Sequence, residues 1–151
     1  MFSTVRYFIK TSIFFLIVGI LTGLYLMSAK YFGLPGYGSE TISAHTHLIL
    51  VGSVIMMIMG VALWFFPRAE KTDKKYNPDL IRFVFWLMAI STALRFIFQM
   101  LYGFLFSEWI TYIITCMSVF QIISIILFFY SIWGRIRSVG SHIREKKGEK
   151  F

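Results

Sequence analysis

Charge is scarce in this 151-residue chain, and acidic charge most of all: seven Asp and Glu stand against fifteen Lys and Arg, and charged residues make up 15% of the whole. A soluble domain of this length carries roughly a quarter charged residues, so an ordinary water-soluble surface is excluded. Cysteine is limited to Cys116, which rules out a disulfide framework and a thiolate metal cluster. The three prolines, Pro35, Pro67 and Pro78, all fall outside the long apolar runs, so no run is strongly broken. Histidine is as rare, at positions 45, 47 and 142.

What the chain has is apolar length. Hydrophobic residues reach 58% and fall into four blocks, each near the ~20 residues a helix needs to cross a hydrocarbon layer of roughly 30 Å. The expected fold is all-α: a single domain, 1–151, forming an integral membrane four-helix bundle with spans at about 7–27, 42–66, 80–106 and 109–133 and a basic tail at 134–151. The first block follows Arg6 and Lys10 as a secretion signal would. It runs on to Ala29 without a clean cleavage pattern, so it reads as an uncleaved span. Gly33, Pro35, Gly36 and Gly38 break the chain after it, and Pro67 closes the second span beside the interface residue Trp64. Ser107 and Glu108 form a short link that makes spans three and four antiparallel neighbours.

The net charge of +8 does not point to nucleic acid, because the cations flank the apolar blocks and meet anionic lipid headgroups there. Arg6, Lys10, Arg68, Lys71, Lys74, Lys75, Arg82 and the tail cations Arg135, Arg137, Arg144, Lys146, Lys147 and Lys150 fall on one side of a four-span arrangement. Lys30 alone falls on the other. The positive-inside bias places both termini in the cytoplasm, as expected of a multi-pass protein of the cell inner membrane, and sends span two from outside to inside.

Polar side chains within a span are costly and mark function or packing. His45 and His47 stand near the outer end of span two, two residues apart and so turned to different sides. Each serves a separate partner: a metal-bearing group, or simply water or a backbone carbonyl at the interface. Imidazole is a natural axial ligand for haem iron, and an apolar bundle supplies the slot a porphyrin needs. Bis-histidine ligation by matched residues requires a second copy or another subunit, because His142 lies in the tail. The methionines are chiefly apolar filler. On span three, Met88, Thr92, Arg95, Gln99 and Tyr102 fall on one face. Arg95 at that depth answers either a haem propionate or groups across the bundle, among them Gln121. Thr111, Thr115, Ser118 and Gln121 of span four form a stripe of the kind that glues helices together.

The run Ala44-His45-Thr46-His47-Leu48, continuing to Gly60 and to Trp64-Phe65-Phe66-Pro67, resembles the tenth helix of subunit I of the haem–copper oxygen reductases. His45, Gly60 and Pro67 keep that helix's spacing, and the outside-to-inside direction agrees, over about 25 residues of close likeness. The resemblance implies that His45 matches the ligand of the high-spin haem and His47 that of the low-spin haem, on opposite faces. It also implies one four-helix unit of a fold made of three. Gly52 departs from it by one position, and the copper-binding histidines and the histidine–tyrosine pair have no counterparts here. Complete oxygen reduction by one copy is therefore not expected. The reading is a membrane haem b protein for electron transfer or oxygen and nitric oxide chemistry. His45 and His47 are the metal ligands, and Arg95, Gln99 and Gly52 border the cofactor. The protein is expected to form a homo-oligomer, a trimer by analogy, served by an electron-donor protein or a quinone. The competing classes are a cofactor-free structural or accessory subunit of a respiratory complex, and a small transporter or channel.

Overall fold

The computed structural model describes residues 2–66, 77–136 and 148. Among these residues, four helices are long and apolar enough to cross a membrane: α1 (Ser3–Phe32 by its apolar extent, helical from Phe2), α2 (Ser39–Phe65), α3 (Pro78–Tyr102) and α4 (Glu108–Ile132). Among the described residues there is no strand. The chain is thus a multi-pass, all-α membrane bundle, as its apolar blocks imply. Pro67, the connector at 68–76, His142 and most of the basic tail lie outside the described residues. Arg135, assigned to that tail from sequence, instead sits buried in a 3-10 turn, Trp133–Arg135, closing α4.

The helix ends have local causes. α1 continues past Met27, where the apolar count ended it, because Ser28, Ala29 and Lys30 are all tolerated in a helix. It stops at Gly33, whose φ of 67° is left-handed, and the Leu34 N–H bonds back to Ala29 O at 3.1 Å. This 6→1 bond is the Schellman ending that glycine favours. At the other end of α2, Phe66 is extended (φ −71°, ψ 145°), the conformation imposed on a residue before proline. Asn77 starts α3 by accepting the Asp79 N–H at 2.9 Å, with Pro78 at the first helical position.

The third span ends at Tyr102 rather than Phe106, so the link to α4 is Gly103–Ser107 instead of two residues. Gly103 packs where a Cβ would lie 2.3 Å from Thr41 Cγ2, and the Phe104 ring closes over Gly36 (φ 81°). That docking pulls the aromatic run out of helical register. α3 and α4 still pair extensively, antiparallel as expected.

α1 packs on α2, α2 on α3, and α4 principally on α3, so α4 is the least enclosed span. The apolar core lies toward the N-terminal ends of α1 and α3 and the C-terminal ends of α2 and α4. Phe8 stacks edge-on to Phe85 at 5.2 Å and to Phe128 at 6.3 Å, and Met56, Val84 and Met88 are fully buried in the same cluster. Lipid offers hydroxyl groups no partner, so they turn to the backbone. Thr22, Ser28, Thr46, Thr115 and Ser118 each donate to the carbonyl four residues back. For the expected span-four stripe this is a correction: Thr111, Thr115 and Ser118 bond within their own helix, while Gln121 and Ser124 make the interhelical bonds.

Candidate functional site

The N-terminal half of α2 carries the two histidines and faces two neighbours differently. His45 turns to α1. Its Nδ1 lies 3.0 Å from the carbonyl oxygen of Gly19, and a Cβ built on Gly23 would fall 2.9 Å from His45 Cε1 and 3.4 Å from Nε2. Gly19 itself admits Ile49, whose Cδ1 would stand 2.3 Å from a Cβ there. The two glycines one turn apart therefore form a flat seat on α1 for the imidazole and the residue one turn below it. Their spacing of four is that of small residues at a close helix crossing.

His47 turns to the α3 side. Its Nδ1 lies 2.9 Å from Ser43 O and 3.3 Å from Ser43 Oγ. A carbonyl oxygen only accepts, so the contacts to Gly19 O and Ser43 O each call for a proton on Nδ1. In a neutral imidazole that leaves Nε2 bearing the lone pair. Both rings thus bond a carbonyl, the bland possibility, and in doing so take the tautomer and fixed orientation that metal-ligating histidines adopt.

Below His47 the helix widens. Leu48–Ile55 forms a π-helix, and the Met56 N–H still reaches Val51 O five residues back. Nothing in the residue pattern announced it, since the run is uniformly apolar with one glycine. π segments occur often at functional sites and shift the phase of everything beyond them. Gly52 sits inside this stretch where a Cβ would meet Thr92 Cγ2 at 2.8 Å and Phe15 Cδ2 at 3.0 Å. Within one copy Gly52 therefore serves the crossing of α1, α2 and α3 and borders no gap.

Two polar chains cross the bundle nearby. Gln99, 3% exposed, donates through Nε2 to Glu40 Oε2 and to Ser43 Oγ, both at 3.2 Å, which brings it within two bonds of His47. Arg95 Nη1 donates to Gln121 Oε1 at 2.8 Å, and Gln121 Nε2 donates to Thr92 Oγ1 at 2.9 Å. Of the partners open to Arg95 from sequence, the single chain supplies Gln121. Arg95 Nε and Gln99 Oε1, one turn apart on α3, are buried without a protein partner. Glu40 and Ser43 were missed by sequence reasoning. An acid at a helix start carries no signal of its own, and only the fold carries Gln99 to Glu40. No cluster of three or more His, Cys, Asp or Glu able to hold a metal ion is formed among the described residues.

Residues 1–138 match the family model described as cytochrome C and quinol oxidase polypeptide I. No curated protein and no solved structure matches the chain. The match spans most of the sequence, and the chain belongs to that family.

Proposed function

We propose that this member of the oxidase polypeptide I family is a haem b protein of the cell inner membrane, serving electron transfer or oxygen and nitric oxide chemistry. Both termini lie in the cytoplasm in this reading, and His45 and His47 supply axial imidazoles on opposite sides of α2. The observation that carries it is the pair of Nδ1 contacts, 3.0 Å to Gly19 O and 2.9 Å to Ser43 O, which leave each Nε2 available. That donor set fits a haem: oriented imidazoles in an apolar bundle.

Haem iron, when bound, supplies the redox chemistry. The chain's own part is to fix the imidazole planes, to exclude water with its apolar helices, and to hold Arg95 in place through Gln121. The least enclosed span, α4, and the absence of a complete donor cluster among the described residues of one chain favour assembly from several copies, three by analogy with the family's three-unit fold. An electron-donor protein or a quinone completes the circuit in this reading.

The test is the absorbance of the detergent-purified protein from haem-replete cells. The dithionite-reduced sample is expected to give the sharp bands of a six-coordinate b haem, lost in His47→Ala. Carbon monoxide binding lost in His45→Ala would assign the second centre. A colourless, folded preparation overturns the proposal and leaves a cofactor-free accessory subunit as the reading.

A further inference from the structure

Glu40 stands at the outer start of α2, in the turn before Ser43 and two turns before His47, half-buried and with no role in the reading above. Its carboxylate oxygen takes one of the two amide hydrogens of Gln99, and Ser43 Oγ takes the other. Ser43 in turn holds His47 Nδ1 between its carbonyl and its hydroxyl. The chain carboxylate–amide–hydroxyl–imidazole thus links a surface-side acid to the ring across two helices.

An ionised carboxylate can only accept hydrogen bonds. Facing Glu40, the Gln99 amide must present its NH2 group to α2, and this also leaves Gln99 Oε1 buried without a partner. Leaving a buried acceptor unpaired costs about 1–3 kcal/mol, so the orientation is held against a penalty. Something must outweigh that penalty, and the charge-assisted bond to Glu40 is the contact present that does so.

We propose that Glu40 is a positioning residue for His47, acting through Gln99 and Ser43 to fix the orientation and tautomer of the imidazole. This rests on the reading of His47 as an axial ligand for its consequence, but the ring's state is measurable without any haem. A carboxylate behind a ligating imidazole raises the basicity of the ring. Such a ring favours the oxidised iron, so neutralising Glu40 is expected to raise the midpoint potential of a haem on His47.

The experiment uses the full chain in lipid nanodiscs, labelled with 15N-histidine in a His142→Gln background. In the haem-free protein His47 is expected to show a single Nδ1–H tautomer. In Glu40→Gln, which keeps the size of the side chain, the Gln99 amide is no longer oriented, and a second, Nε2–H set of His47 signals is expected. His45 signals stay unchanged. Gln121→Leu, on the other polar chain, is expected to leave His47 as it is. His47 signals identical in Glu40→Gln and the parent overturn the proposal, as does an equal change in both histidines. Redox titration of the haem-loaded protein forms the second arm. A higher potential in Glu40→Gln supports the link, and an unchanged one overturns its electrostatic part. A protein that takes up no haem defeats the proposed function, while the nitrogen signals still decide the positioning role.

Discussion

The imidazole of His45 lies against α1 with its Nδ1 3.0 Å from the carbonyl oxygen of Gly19. The relationship joins a side chain of one span to the backbone of another. It exists because a carbonyl already used within its own helix has a second lone pair, and because glycine lets the two backbones come close. The same pair fixes which ring nitrogen is left free.

Gly23→Ala tests how tight the seat is. The new methyl would stand 2.9 Å from His45 Cε1, so the ring or the helix must shift. Overpacking of this kind costs about 1–3 kcal/mol. A lower thermal midpoint in detergent is expected, with the 15N signals of His45 displaced and those of His47 retained.

Gln121→Leu should harm the bundle more than Arg95→Met. Removing Gln121 leaves a half-buried guanidinium without the 2.8 Å acceptor it now has, whereas removing Arg95 removes the charge itself. Losing a hydrogen bond to a charged group costs about 1.5–3 kcal/mol. The double variant is expected to be closer to Arg95→Met than the sum of the two, by about 0.5–3 kcal/mol of coupling. Reversible unfolding in mixed micelles gives all three values.

Deleting Val54 should remove the widened turn. The residue is exposed and lies within the π segment, so an α-helix one residue shorter can form there. One residue corresponds to about 100° of helix rotation, which would turn His45 away from Gly19 while Gly60 keeps its contact with α1. The expected result is an unchanged helical signal by circular dichroism with loss of the His45-dependent readouts. Retention of the His45 15N signature would count against any role of the π segment in aiming it.

Membrane orientation is open to cysteine labelling. In a Cys116→Ser background, Tyr37→Cys is expected to react with an impermeant maleimide added outside intact cells. Ile136→Cys is expected to react only after the membrane is opened. The reverse pattern would invert the direction assigned to α2 and place the histidines at the cytoplasmic end.

Much of this protein is set by composition and spacing. Four runs of lipid length demand helices, since only internally bonded backbone survives in hydrocarbon. Two histidines two apart must look to different sides of a helix, and His45 and His47 do. The helix ends were legible where proline or glycine dictates a backbone angle, as at Gly33 and Phe66. They were not legible at Gly103, because Thr41 and Gly36, which draw the chain out of register there, lie some sixty residues away in sequence.

The site itself was decided by the tertiary structure. An arginine in a span demands a partner, but its sequence offered both a propionate and Gln121; contact between α3 and α4 supplies the second. Nothing local distinguishes Glu40 from any acid at a helix start. It becomes part of a chain leading to His47 only when α3 brings Gln99 within 3.2 Å of both Glu40 and Ser43. The π segment is equally a product of packing: a uniformly apolar run carries no periodic signal for it, and the crossing at Gly52 favours the wider turn. Hydrophobic length and helical period act along the chain and can be read from it. Hydrogen bonds between helices depend on which faces meet, which the chain settles only once it is folded.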